Sequence, residues 1–533
     1  MADEAEAQSA QAVVPLPVGR RVWAWGARRW QNARRDMLRL IAAIGQRWHH
    51  LSHRKQHWIE GIVIGLVIEL VLGAIGGTSP LIGIKNIAMD ATLRGGVALE
   101  AVRHSWLGHA PAPALSFIEV DEATWRDPLW GEPYRAPRQK VAQLIDYAFA
   151  HGAQIVAVDI LVERSGQDSA ADIAEDQALK ATLARLAPDQ TVIFSRSLRR
   201  PLQDMAGEGA HLAPLLAASL LDGVASRGNL ISAIPEFQID RDGQVRSWHL
   251  WQSVCVPDAP GAPTGQWRPL PSVQLAAIAA MKRAVADAPW SQRGFGHCVT
   301  DLAAVFARDL EGPEKADKAM SDWIAQAGLF EEHWVPKAEA RETGASWRRF
   351  EPSSRIFYHS AYAPEDCIKG GIQRVSALSI LAQALASKSG GVGDQACAPP
   401  DRLAPVVVIG QSADAVGDKW ATPLGPMPGA HIIANAILSL WQQGPVEEPS
   451  WLFEKALMIV HVALVAGLFA WFSAGRAMIW GAVSIVALIG LNWVYLKFGI
   501  WIDYATPAVG IYLHRLEGQA KALFAKGGHG EHG

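Results

Sequence analysis

The chain has 533 residues, half of them hydrophobic, which is room for two or three folding units rather than one. A net charge of −3 is near neutral, so the whole-chain value predicts no nucleic-acid partner. The 22 tryptophans gather beside apolar runs, as aromatic residues do at a membrane interface.

The charge is unevenly spread. From Arg20 to Lys55 there are ten Lys or Arg and a single acid, Asp36. Trp23, Trp30, Met37, Ile41, Ile44, Trp48 and Leu51 recur at intervals of 7, 7, 4, 3, 4 and 3, with Arg21, Arg28 and Arg35 on another stripe. Residues 1–57 therefore read as a cytoplasmic basic segment with an amphipathic helix, fit to lie on anionic lipid or to grip another protein. His49, His53 and His57 share one side of that helix. Arg54 and Lys55 oppose a cation there, so a hydrated interfacial face is expected, and no metal.

"WIEGIVIGLVIELVLGAIGG", residues 58–77, is long enough to cross a hydrocarbon core as a helix. It starts too far from Met1 for a cleaved signal peptide. With its basic flank held in the cytoplasm, the chain beyond it is exported.

Residues 78–450 alternate strand-like and helical stretches. "ALSFIEVDE" reads as a strand, "PRQKVAQLIDYAFAHGA" as a helix with Val141, Leu144, Ile145 and Ala148 on one face, and "QIVAVDILVE" as a buried strand. The helix "AEDQALKATLARL" and the strand "QTVIFSRSL" follow. A hairpin turning at "RDG" comes next, then the helix "PSVQLAAIAAMKRAV". After a partly helical stretch at about 281–349 come the strand "APVVVIGQS" and the helix Ala430–Trp441, which leads toward further apolar runs. The fold class is α/β: an exported mixed sheet covered by helices.

Three more apolar runs, Lys455–Gly475, Arg476–Leu496 and Phe498–His514, predict three further spans over 451–514 and four transmembrane helices in all. The basic Arg476 link is placed inside, and the last run, with Asp503 and Pro507, is read as crossing, which makes 515–533 a short cytoplasmic tail. Glu69, His461, Asn492 and Asp503 all lie about five to eight residues from an exported end, a shared layer roughly 8–12 Å deep at ~1.5 Å per residue. They are expected to form an intramembrane polar cluster, as interhelical glue or as a relay.

All four cysteines, Cys255, Cys298, Cys367 and Cys397, fall in the exported part, so up to two disulfides are expected among three connectivities. Sequence neighbours would pair Cys255 with Cys298 and Cys367 with Cys397; buried free thiols are the alternative.

Several short motifs decline a catalytic reading. "GQSAD" puts Asp414 where a nucleophile elbow needs glycine, which leaves Ser412 a turn or cap residue. "KSGGVGD" at 388–394 lacks the P-loop spacing, and "DRDG" at 240–243 lacks the closing Glu of a calcium loop. If strands 117–121 and 155–160 are parallel neighbours, Asp121 and Asp159 stand at their carboxyl ends, where open α/β sheets bind ligands. Glu122, Glu163 and Asp168 lie on the loops beyond, and Arg138 at the helix start. These six form the candidate ligand site; capping and ion pairing are the structural alternative. No cofactor is expected.

The runs "FIEVDEATW", "RAPRQKVAQLIDYAFAHGAQIVAVDILVE", "DQALKATL", "DRDGQVRSWHL" and "VVVIGQSADAVGDKWATPLGPMPGAHIIANAILSL", with one span before and three after, resemble the type-two CHASE domain. That is the extracellular sensory domain associated with cyclases and histidine kinases. The resemblance covers roughly 82–441 plus the spans. It implies a multi-pass bacterial inner-membrane protein with a periplasmic sensory domain and cytoplasmic termini; no reactive constellation stands in the sequence, so no enzyme is expected. Family members usually carry an output domain after the last span, where this sequence has "LHRLEGQAKALFAKGGHGEHG". Output through a separate membrane or cytoplasmic partner is therefore expected, homo-oligomerisation staying open. The alternative is a scaffold subunit of an envelope complex; an extracytoplasmic enzyme ranks last.

Overall fold

In the computed structural model, residues 51–501 are described except 75–78, 108–111, 132–135, 163–169, 200–214, 225–228, 300–310, 330–352, 387–396, 447–450 and a few shorter gaps. The N-terminal basic segment before residue 51, Glu163, Asp168, the loop 388–394, Asp503 and nearly all of the last apolar run lie outside the described residues, as does the side chain of Glu69. The chain divides into two compact units, one of residues 1–71, 458–483 and 510–533, the other of 72–457 and 484–509.

In chain order the helices are α1 (His53–Ala74), α2 (Ser79–Leu107), α3 (Glu122–Arg126), α4 (Arg138–Ala150), α5 (Ala170–Ala184), α6 (Val273–Met281), α7 (Glu311–Gln326), α8 (Ala377–Ala386), α9 (Gly429–Gln443), α10 (Trp451–Trp471) and α11 (Ala474–Leu496). The strands that build the larger unit are β1 (Leu115–Val120), β2 (Ile155–Asp159), β3 (Thr191–Ser195), β4 (Leu198–Arg199), β5 (Leu215–Leu216), β6 (Leu230–Ala233), β7 (Phe237–Ile239), β8 (Val245–His249), β9 (Trp251–Pro257), β10 (Thr264–Pro271), β11 (His297–Val299), β12 (Ser353–Arg355), β13 (Ile368–Lys369), β14 (Ile372–Ser376), β15 (Val406–Gln411), β16 (Lys419–Thr422) and β17 (Gly425–Pro428).

The main sheet runs β13-β14-β1-β15-β2-β3-β6, parallel except for the edge strand β13. β1 and β2 are not neighbours: β15 lies between them and pairs with both. The expected adjacency fails because the strand that fills the gap arrives some 250 residues later, beyond the reach of any local pattern.

Strand alternation sorts the core. Ile118, Val120, Val156, Val158, Val192, Phe194, Val407 and Ile409 pack against α4, α5 and α8 on one face. Phe117, Ala157, Ile193 and Val408 pack against α6 and α9 on the other. Both faces are apolar, as a parallel sheet between helix layers requires. α9 and α6 are buried again on their far sides, by α2, β8, α7 and the stretch Ile356–Tyr358.

A second sheet, β11-β10-β9-β5-β4, carries the Cys255–Cys298 disulfide between β9 and β11, S–S 2.03 Å. Cys367 is joined to Cys397. The hairpin β7–β8 turns through Asp240–Gly243, where Gly243 at φ 80° supplies the left-handed residue.

The long helix α2 has no counterpart in the sequence reading. Its five charged residues, Lys85, Asp90, Arg94, Glu100 and Arg103, mask the apolar face it buries. Its Asp90 is clamped by Arg246 of β8, with Arg246 Nε to Asp90 Oδ1 and Nη2 to Oδ2 both at 2.8 Å. The same guanidinium bonds Asp240 at 2.8 Å and Asp242 at 2.8 and 2.9 Å. Further along, Gly96 lies so close to Trp493 of α11 that a Cβ would collide with its ring, and Glu100 pairs with Lys497. Trp493, Leu496 and Trp501 share the core cluster that contains Met89 and Leu93.

In the other unit α1 packs against α10. Gly61 and Gly65, four apart on α1, face Ala466 and Val462, and Trp58 Nε1 donates to the Ala463 carbonyl at 2.9 Å. Rising numbers on α1 meet falling numbers on α10, so the pair is antiparallel. Small residues at this spacing let two backbones approach. Among the described residues, one stretch, Gly475–Leu496, is long and apolar enough to cross a membrane, and Lys455–Trp471 is apolar but shorter.

Candidate ligand crevice at the strand ends

The crevice follows from the topology. β1 leads into α4 and β2 into α5, on one face, while β15 between them leads through β16 and β17 into α9 on the other. Neighbouring strands that send their chains to opposite faces leave an opening at their carboxyl ends, the usual ligand position in such sheets. Period-two alternation then continues the face of Phe117, Ala157, Ile193, Val408 and Ile372 into polar residues: Glu119, Asp159, Ser195, Ser412 and Arg374. The first turn of α9 lies over this row, Ala430 occupying the space that a side chain on Gly410 would need.

At one end of the row Glu119 is buried and fully engaged. Tyr362 Oη donates to its Oε1 at 2.6 Å, Ser412 Oγ donates to the same oxygen, and Arg374 donates from Nε at 2.9 Å and from Nη2 to Oε2. Arg374 Nη1 donates to the Ala363 carbonyl at 2.6 Å. The carboxylate thus ties β1, β14, the 360s loop and the turn after β15 into one knot. Burial and the Glu119 charge hold the Tyr362 hydroxyl well above its ordinary range, so it stays a donor.

His431, in the first turn of α9, packs edge-on against Phe117 and Tyr362. Burial and, next, the Arg374 charge push its ring down to about 3, which leaves it neutral.

At the other end, Ser195 Oγ donates to Asp159 Oδ1 at 2.7 Å. Asp418 carries its carboxylate against Gly429 at the start of α9 and accepts from Trp420 Nε1 at 2.6 Å. Burial and the nearby Asp418 charge raise the Asp159 carboxyl to about 7, the Ser195 bond pulling the other way. Among the described residues no ion pair reaches either acid, and no group of three or more metal-ligating side chains is present.

A family model described as the CHASE2 domain matches residues 64–475, most of the chain. The chain belongs to the CHASE2 family. CHASE2 is an extracellular sensory domain family, and a sensory role for this chain is consistent with that membership. No curated protein and no solved structure gives a match.

Within this CHASE2 domain the four described residues of the six expected at the site, Asp121, Glu122, Arg138 and Asp159, separate. Asp121 caps α3, its Oδ1 accepting from Thr124 N at 2.8 Å and Thr124 Oγ1 at 2.7 Å. Glu122 accepts from Arg126 Nε at 2.7 Å and from the Asp414 amide at 2.9 Å, at the crevice rim. Arg138 does not meet Asp121 or Asp159. It is buried against α5, Nη1 2.6 Å from Asp176 Oδ1, with its amide on Glu175 at 2.9 Å. Asp159 alone lines the row. Glu119, Arg374, Tyr362, Ser195 and Asp418 escape the sequence reading, although Glu119 leaves a signal: an acid at a core-facing parity inside an apolar strand needs partners. His461 and Asn492 are buried, and belong to different units.

Proposed function

We infer that this chain is a multi-pass membrane protein whose exported CHASE2 domain senses a condition outside the cytoplasm and passes it to its helices, and through them to a separate partner protein. The observation that carries the reading is the double engagement of α2. One stretch of α2 is clamped to the sensory body by Asp90–Arg246, and another to the last turns of α11 by Gly96–Trp493 and Glu100–Lys497. A rearrangement of the body that prefers one position of α2 therefore biases α11, which is how a ligand with different affinity for two states is transmitted.

Membrane insertion draws support from the antiparallel α1–α10 pair, which suits an outgoing and a returning span, and from α11. That helix begins at the basic Arg476 link and buries Trp493 and Leu496 in the core of the exported body, as a span ending at the outer surface would. We read the crevice as binding rather than catalytic. Ser412 donates to a carboxylate, not to a histidine base, and Glu119 has its oxygens occupied.

Affinity purification from native membranes in mild detergent, with mass spectrometry of the wild type and Asp90→Asn, tests the reading. A kinase, cyclase or regulator recovered with the wild type, and in altered amount with Asp90→Asn, is the expected result. A fixed set of envelope subunits indifferent to Asp90 would establish a scaffold, and a partner-free protein would remove the separate-output step.

A further inference from the structure

The two ends of the polar row differ in what neutralises them. Glu119 has a guanidinium. Asp159 has a hydroxyl on one side and a second carboxylate, Asp418, on the other. Among the described residues, the groups around the pair, element by element, direct no cation at it. Lys419, next to Asp418, pairs with Asp414. Arg196, following β3, turns to Ser232, the Ala217 carbonyl and Asp222. β15 contributes Gly410, and α6 has no ionisable side chain. His431 of α9 lies with Phe117 and Tyr362.

Both acids lie against the first turn of α9. Gly410 has Ala430 of α9 against it and the Asp159 Cβ 3.6 Å from where its own Cβ would be, while Gly429 sits against the Asp418 carboxylate. A change in the separation of the two carboxylates must be taken up by the first turn of α9 or by the segment 414–420. α9 in turn leads in sequence, through residues 444–450, into α10.

We propose that Asp159, set with Asp418 at the first turn of α9, is a proton-binding group through which the domain reads the acidity of its surroundings, protonation of Asp159 seating that turn and deprotonation loosening it. Two like charges cannot share this site without cost, so a proton taken up by Asp159 removes the repulsion. Its loss drives the carboxylates apart. The inference rests on the sensory reading and names the proton as the ligand.

The test uses the full chain in lipid nanodiscs, labelled with 5-fluorotryptophan. Trp420 bonds Asp418 directly, and Trp420→Phe identifies its fluorine resonance. The resonance is followed from pH 5 to pH 9, alongside hydrogen–deuterium exchange of residues 414–435 corrected for intrinsic rates. The wild type is expected to titrate with a midpoint near 7 and to exchange faster above it. Asp159→Asn abolishes the transition. Asp418→Asn, read by exchange, lowers its midpoint by removing the neighbouring charge. Ser195→Ala raises the midpoint by removing a bond to the charged form. A wild type flat across this range, or a transition unchanged in Asp159→Asn, overturns the proposal. Either result leaves the sensory reading, carried by α2, standing.

Discussion

Two clusters of aspartates in the CHASE2 domain contrast. Around Arg246, three acids converge on one buried guanidinium whose three nitrogens all donate. Burial alone would lower the Arg246 affinity for its proton, but the Asp90, Asp242 and Asp240 bonds more than restore it, and Asp242 is held below the ordinary carboxylate range by its bond to Arg246. Around Asp159, two acids lie near one another with no cation directed at them among the described residues, and one carboxyl is driven up to about 7. The same residue type is a fixed clamp in one place and a titrating group in the other. The difference lies in whether the fold supplies a positive charge at the point of convergence.

The sharpest way to break the contrast is to remove that charge. Arg246→Met leaves Asp90, which is about one-tenth exposed, without its partner, and Asp240 and Asp242 crowding it. Removing one member of a buried ion pair costs about 3–5 kcal/mol. The expected result is a large drop in thermal stability in nanodiscs at pH 7.5, partly recovered at acidic pH as Asp242, no longer held low by Arg246, takes up its proton. A loss independent of pH would mean that lost packing, not lost charge, dominates.

Glu119 is an intermediate case, an acid satisfied by one cation and two hydroxyls. Glu119→Gln keeps its shape but turns part of an acceptor into a donor that faces Arg374 or the hydroxyls. A bond to a charged group is worth about 1.5–3 kcal/mol, and a loss of that size is expected in denaturant unfolding. A neutral effect would show that the Ala363 and Asp366 carbonyls are enough to hold Arg374.

How much of this was legible in the sequence follows from the range of each interaction. The strands, the helices that cover them and the "RDG" turn rest on local periodicity and turn chemistry, and they can be read in order. Two of the decisive contacts cannot. β15 enters between β1 and β2 from far along the chain, and the Asp418 charge acts on Asp159 because the segment after β15 follows that insertion. Proximity in sequence to strand ends puts Asp121 and Arg138 in the site, but a cap and a helix–helix ion pair lie closer to each than the crevice does. α2 escapes notice because it follows the apolar run 58–77 and carries charges spaced for partners far along the chain. Asp90 pairs with a residue 156 positions away.

The Asp159 pair gives a smaller effect with a distinctive sign. The folded carboxyl, at about 7, binds its proton more tightly than the unfolded one at an ordinary value near 4. Below about 4 both states are protonated and the group contributes nothing. Between about 4 and 7 the unfolded state has lost its proton and the folded state has not, so stability falls as pH rises, and above 7 the full penalty is present. Asp159→Asn removes it. Each tenfold difference in proton affinity between the two states corresponds to ~1.4 kcal/mol, and relaxation of the partly open site reduces the total. A gain of about 1–2 kcal/mol is therefore expected at pH 8, with no gain at pH 4. Thermal unfolding of both proteins at the two pH values measures it, and an equal gain at both would remove titration as the cause.

The smallest effect belongs to an acid that the sequence placed in the site and the structure does not. Asp121 accepts from the amide and hydroxyl of Thr124 and stands over the first turn of a five-residue helix. Loss of such a cap costs about 0.5–2 kcal/mol, and the shortness of α3 puts Asp121→Ala near 1 kcal/mol. Because the cap satisfies local backbone rather than facing Asp159, the variant should leave the midpoint of the Trp420 fluorine titration where it is. If that midpoint moves by half a pH unit or more, Asp121 is electrostatically coupled to the crevice, and the boundary between fixed and titrating acids must be redrawn to include the end of β1.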